Sequence, residues 1–152
     1  MFIFDIFPLS ERMATLEVPR SENFAPVKNA DKSDCGREGP VTKDSPASAA
    51  AMLSTMHRSW LEAAGAKLTG ATAAEAEAGQ PASWVLVDPL VSYGGEGLDS
   101  LKGVELETPC VLRKGEEGAE KVESKECKGP GGETWKEYAV PSAGAKAAAA
   151  EN

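Results

Sequence analysis

One lysine in this chain stands where a fixed positive charge could act. Lys28 lies in Phe24-Ala25-Pro26-Val27-Lys28-Asn29-Ala30, a short loop braced by proline and flanked by an aromatic ring and an amide. A compact ammonium held on such a loop is a good point charge for a diphosphate, and a preorganised cation stabilises negative charge that builds up during group transfer. Without its neighbours the same lysine reads as an ordinary solvated residue. Asn29 reads first as a residue that holds the loop through backbone hydrogen bonds, with ligand contact as the alternative. Arg20 either pairs with Glu17 or approaches a phosphate.

Other candidates are weaker. His57, the single histidine, shares a helical face with Leu53, Trp60 and Ala64, and a lone histidine there reads as a hydrogen-bonded core or boundary group before it reads as a base. Ser92-Tyr93-Gly94-Gly95-Glu96-Gly97 is glycine-rich but lacks the Lys-Ser/Thr and helix start of a phosphate loop, so it reads as a structural turn. Cys35, Cys110 and Cys127 are odd in number and widely spaced, which suggests reduced thiols and neither a disulfide framework nor a zinc site. No His, Cys or carboxylate cluster has metal-ligand spacing.

These residues need elements to position them. Phe2, Phe4 and Ile6 alternate with Ile3, Asp5 and Phe7, a pattern expected of a strand covered on both faces, and Phe2 and Phe4 then share one side of it. Met13 to Val18 reads as a second strand that Pro19 confines to an edge or exit. Residues 31–43 are a polar, turn-rich loop. Ser45 caps a helix with Pro46 at its first position, and Gly65 supplies a left-handed stop. Along that helix Ala49, Met52, Leu53, Met56, Trp60 and Ala64 form the expected apolar face.

Residues 69–82 read as a linker. Short β-rich runs follow at Trp84-Val85-Leu86-Val87, Leu90-Val91, Val104-Glu105-Leu106 and Cys110-Val111-Leu112, the composition of a small β-rich domain over 83–113. Residues 114–152 are charged, then Ala-rich. They read as a disordered tail, because so few large apolar groups cannot offset the ordering entropy.

The chain has 152 residues, enough for one domain with a core, although much of its 41% hydrophobic content is alanine. A net charge of -8 disfavours nucleic acid or an anionic membrane as partner, because those need clustered Lys and Arg. The N-terminus has Asp5 after four residues and no basic region, and no apolar run approaches membrane-spanning length. A cytoplasmic protein is expected.

Four motifs, in order and at compatible spacing across about 1–113, resemble the C-terminal third of the eukaryotic UDP-N-acetylhexosamine pyrophosphorylases. Met1 to Phe7 is similar to the family's aromatic strand. Glu17-Val18-Pro19-Arg20 followed by Phe24 to Ala30 resembles its E-V-x-R strand and F-x-P-x-K-N-A loop. Asp44-Ser45-Pro46 with His57, Trp60 and Ala64-Gly65 resembles its D-x-P helix with H-x-x-W and A-G, although Ala50 stands where the family commonly has arginine. Asp88 to Leu98 is close to S-P-L-V-S-Y-x-G-E-G-L.

The resemblance implies an α/β fold: the C-terminal part of a Rossmann-like nucleotidyltransferase domain over 1–68, followed by the linker, the small β-rich domain and the tail. It implies uridylyl transfer from UTP to N-acetylglucosamine 1-phosphate, giving UDP-N-acetylglucosamine and pyrophosphate. It assigns Lys28 to the phosphates of the nucleotide sugar and sets Phe4, and less directly Phe2, beside the sugar's N-acetyl group, with Arg20 and Asn29 as neighbours. Mg2+ is expected, with ligands outside this chain, as is the family's Gly-rich UTP loop. The chain is therefore expected to be a portion of such an enzyme, inactive alone. The alternatives are a truncated, non-catalytic relative that binds or docks, and a pyrophosphorylase of broader UDP-sugar range.

Overall fold

The computed structural model describes residues 3–30, 42–72, 74, 83–129 and 132–141. Phe2, Cys35, most of the 31–43 loop, most of the 69–82 linker and the sequence from 142 onward lie outside them. The described residues are an α/β mixture with one long helix, α2 (Pro46–Ala63), a one-turn helix α1 (Arg20–Asn23) and six strands. Strands β1 (Lys67–Thr69) and β3 (Glu105–Glu107) pair in parallel as a two-stranded sheet. Strands β2 (Val85–Val87), β4 (Cys110–Lys114), β5 (Glu123–Lys128) and β6 (Thr134–Val140) form a second sheet in the order β2-β4-β6-β5. In it β2, β4 and β6 run parallel and β5 is antiparallel to β6.

Helix α2 begins and ends where its sequence signals stand. Ser45 accepts at Oγ from the Ser48 N–H at 3.3 Å while the Ser45 N–H donates to Ser48 Oγ at 2.9 Å, so two otherwise unpaired donors are satisfied reciprocally. At the other end Gly65 has φ +85, and the Gly65 and Ala66 N–H groups donate back to Glu62 and Leu61, each at 3.0 Å. This double return is the Schellman arrangement, which glycine permits at no steric cost.

The face of α2 that is buried is not the one expected. Met52, Met56 and Trp60 are only half-buried and Leu53 is exposed, whereas Ala51, Ser54, His57, Arg58 and Leu61 are buried. Three of these five are polar because they meet backbone. Ser54 Oγ accepts the Val85 N–H at 2.8 Å and His57 Nδ1 accepts the Val87 N–H at 3.2 Å. Arg58 donates to the carbonyls of Ala71 and Ser83 at 3.3 and 3.1 Å, gathering the two ends of the linker onto the helix. Leu61 packs into the shared core with Val85, Leu101, Leu106, Leu112 and Val140.

Four further expectations are corrected. Ile3–Leu9 is a 3-10 helix and Met13 to Val18 forms no regular element. A strand needs a ladder partner, and none lies beside either segment among the described residues, so the backbone of the first closes on itself through local bonds. Leu90-Val91 is a turn. The charged region beyond 114 contains β5 and β6, with Trp135, Tyr138 and Val140 buried. Composition hid this because three large side chains within seven residues all reach the core, and β4 supplies the pairing that β6 needs. Tyr138 also accepts the Glu107 N–H at its hydroxyl at 2.8 Å, joining the two sheets.

Burial lowers the His57 pKa from 6.5, against an opposing hydrogen bond with the Val85 backbone. The unfolded chain therefore binds this proton more readily, and the stability given by the neutral ring is complete above pH 6.5 and declines as pH falls from there through the depressed folded value. Urea unfolding between pH 7.5 and 5.5 should show that decline in the wild type and a flatter profile in His57→Asn. Ser54→Ala, which orphans a buried N–H, should cost about 1–3 kcal/mol at neutral pH. Equal pH slopes would remove His57 from this role.

Candidate functional site

The segment leading to Lys28 is shaped by Pro19, which opens the single turn of α1. The Asn23 side chain donates to the Pro19 carbonyl at 3.0 Å, and the Phe24 N–H to the Arg20 carbonyl at 3.0 Å. The turn directs Arg20 back over the Phe24 ring, its guanidinium carbon 4.5 Å from the centroid. After Pro26 the chain meets the start of α2. There the Asp44 carbonyl accepts both the Lys28 N–H at 2.7 Å and the Asn29 N–H at 2.9 Å. The Asn29 side chain donates to the Lys43 carbonyl at 2.8 Å. Asn29 is thus a loop-holding residue in this geometry, acting on a distant strand of chain rather than on its own turn.

Lys28 is exposed, and its Nζ lies 5.8 Å from the centroid of the same Phe24 ring. Arg20 pairs with Asp44 at 3.5 Å rather than with Glu17. One aromatic ring therefore carries two cations at its periphery, and one aspartate both fixes the loop backbone of the first and neutralises the second. Such a pair can receive an oxyanion, with Arg20 offering a planar fork and Lys28 a point charge. Sequence reasoning quoted Asp44 only as a helix-start residue and Phe24 only as a flank. The signal for Asp44 is its backbone: φ is +54, a left-handed conformation that Asp tolerates better than most residues.

Phe4 is 68% exposed and meets Phe7 edge-on at 5.6 Å. A cleft of about 800 Å³ runs between residues 21–25, the Met52, Met56 and Trp60 face of α2, and Asp88 to Tyr93, and neither Phe4 nor Lys28 lines it. Arg113 lies at one side of this cleft, held by Glu137 at 3.4 Å and Asp88 at 3.9 Å.

The glycine-rich turn beside the cleft already holds an anion of its own. Glu96 accepts from the Tyr93 N–H at 2.9 Å, the Gly94 N–H at 2.6 Å and the Ser92 hydroxyl at 3.2 Å. Ser92 in turn accepts the Gly95 N–H at 2.9 Å. Gly95, at φ +92, brings the turn within 3.0 Å of Trp60 at the position a Cβ would take, so a side chain there would be strained in its backbone and would press on the indole. The backbone donors of Tyr93, of Glu96 itself and of Gly94, in that order, lower the Glu96 pKa to about 2. Among the described residues no group of three or more His, Cys, Asp or Glu side chains could hold a metal ion, and no helix is long and apolar enough to cross a membrane.

No protein-family model matches the sequence. Curated proteins do. A human UDP-N-acetylhexosamine pyrophosphorylase-like protein 1 is 39% identical over 119 residues, covering 73% of this chain and 22% of the human protein. UDP-N-acetylglucosamine diphosphorylase 2 of Arabidopsis thaliana is 39% identical over 112 residues, covering 73% of this chain and 20% of that protein. A probable UDP-N-acetylglucosamine pyrophosphorylase of Dictyostelium discoideum is 38% identical over 97 residues, 64% of this chain and 17% of that protein. The chain thus spans about a fifth of the length of the curated relatives it matches.

The Glu96 carboxyl should titrate in NMR near pH 2 instead of 4.5. Because its folded value is depressed, its contribution is present above 4.5 and lost as pH falls from there toward 2. In Glu96→Gln the Tyr93 and Gly94 amides should exchange faster with solvent than in the wild type at pH 7. A Glu96 midpoint near 4.5 would show that the turn does not depend on this anion.

Proposed function

Because the chain belongs to the UDP-N-acetylhexosamine pyrophosphorylase family, we propose that it is the part of a uridylyltransferase that presents Lys28 to the phosphates of a nucleotide sugar. The reaction is attack of N-acetylglucosamine 1-phosphate on the α-phosphorus of UTP, releasing pyrophosphate. The observation that carries this reading is Lys28 itself: an exposed ammonium whose backbone N–H is pinned at 2.7 Å to the Asp44 carbonyl.

On this reading Lys28 needs no proton transfer, since the attacking phosphate is already ionised. It stabilises charge on the diphosphate while the loop fixes its place, and preorganisation of this kind is the main device available for phosphoryl chemistry. Arg20 is the second cation and Asn29 holds the loop between them. Phe4 and Phe2 come beside the sugar by family resemblance, and the exposure of Phe4 leaves its ring free for that contact. Magnesium, expected from the family, would be held by the nucleotide phosphates and by residues outside this chain, and UTP would be gripped by regions of the family that the chain does not span. A cytoplasmic setting accompanies this substrate class.

In a second reading the segment binds a nucleotide sugar or docks on a full-length enzyme without chemistry. A coupled pyrophosphate-release assay on the 152-residue chain should give no turnover, and robust turnover would refute the dependence on outside regions. In a full-length enzyme carrying this segment, Lys28→Ala should cost about 2–4 kcal/mol in kcat/KM with little change in Tm. An unchanged kcat/KM would remove Lys28 from the site.

A further inference from the structure

We infer that Asp44 is the positioning residue of this site: its main chain sets Lys28, and its carboxylate competes with the diphosphate of a bound nucleotide sugar for Arg20. The inference rests on the phosphate reading of Lys28 but concerns a different residue and a different step, the release of Arg20.

Three observations meet at Asp44. Its φ of +54 makes it the one non-glycine residue with a left-handed backbone among the described residues, and strain of that kind persists where surrounding structure fixes it and clusters at functional sites. That strained backbone turns its carbonyl toward the incoming loop, where it takes the Lys28 and Asn29 N–H groups at 2.7 and 2.9 Å. Its carboxylate faces the same way and meets Arg20 at 3.5 Å, with side-chain exposures of 20% and 57%.

A single long contact of this sort is easily exchanged. Exposed ion pairs hold weakly, and a guanidinium gains more from two phosphate oxygens offered together than from one distant carboxylate oxygen. The Phe24 ring keeps Arg20 near the ammonium of Lys28 in either pairing, since both cations lie against it, at 4.5 and 5.8 Å from its centroid. Asp44 thereby holds Arg20 at the site while lowering the net positive charge there, and yields it to a ligand that carries more charge. Diphosphate affinity is set by this competition.

The test is titration of the 152-residue chain with inorganic pyrophosphate at 0.15 M salt, followed by NMR on the Lys28 and Asn29 amides and the Arg20 Nε–H. At that salt long-range field effects are screened beyond about 8 Å. Asp44→Asn tolerates the left-handed backbone and removes the charge. It should tighten pyrophosphate binding by about two- to fivefold, the size of an exposed ion pair. It should also shift the Arg20 Nε–H in the absence of pyrophosphate and keep the two loop amides protected. The gain should vanish in Arg20→Gln/Asp44→Asn. Asp44→Ala, a poorer left-handed residue, should speed exchange of both amides and weaken binding relative to Asp44→Asn.

Equal affinity of wild type and Asp44→Asn, a gain that persists without Arg20, or loop amides indifferent to Asp44→Ala would each overturn the inference. In those cases loss of binding in Lys28→Ala would leave the phosphate reading standing. Pyrophosphate binding that is absent, or indifferent to Lys28→Ala, would overturn the phosphate reading and this inference with it.

Discussion

The N–H groups of Val85 and Val87 point away from β4, toward the side of β2 where no strand follows among the described residues. Left unpaired at a buried position, each would cost about 1–3 kcal/mol. Helix α2 supplies what a neighbouring strand would have supplied, an acceptor every second residue, through Ser54 and His57 one turn apart. The spacing works because residues three apart on a helix face one way, as do residues two apart on a strand. This pairing fixes the rotation and the axial position of α2. Since Asp44 immediately precedes the Ser45 cap of α2, and the Asp44 carbonyl holds the Lys28 loop, the placement of the candidate cation follows from the acceptors that two valines require.

Electrostatics then separates two parts of the molecule that could each be taken for a phosphate site. The glycine-rich turn at Ser92 to Gly97 gathers backbone donors as phosphate-binding turns do, yet Glu96 fills it from within. The Lys28 loop from Phe24 to Ala30 has no glycine, but it brings an ammonium and a guanidinium to one aromatic ring in a chain whose net charge is -8. Against that acidic background two cations on one ring make a local concentration of positive charge, which Asp44 partly offsets at Arg20.

The ends of α2 were legible in the sequence because capping is a local matter: Ser45, Pro46 and Gly65 state their roles without reference to the fold. Its buried face was not, because the helix buries Ser54, His57 and Arg58 against backbone that lies thirteen to thirty-one residues away. Periodicity of apolar residues marks contact with side chains and is silent on contact with a strand edge. The same limit explains Phe4, whose alternating surroundings describe a strand only if partners exist to pair with it, and β6, whose Trp135, Tyr138 and Val140 were outweighed by the charges around them. Lys28 is a candidate through its motif. Asp44 was not singled out, since what it offers the loop is a main-chain carbonyl and a backbone angle, and residue type encodes neither.

The four-stranded sheet is closed to growth on both flanks. On one side an incoming strand would have to displace Ser54 and His57 from β2. On the other it would meet β5, an exposed strand in which Glu123, Lys125, Glu126 and Lys128 alternate in sign and in which Lys125 and Glu126 are already engaged across to β6, at 2.9 Å with Glu137 and 3.1 Å with Lys136. Charged, mixed-sign edges and side-chain-capped edges both resist the strand addition that leads to aggregation. The parallel pairings of β2, β4 and β6 join short strands far apart in sequence, and such pairings form slowly and leave edges exposed on the way, so the charges that made this region resemble a solvated tail also guard the sheet's outer edge against wrong partners.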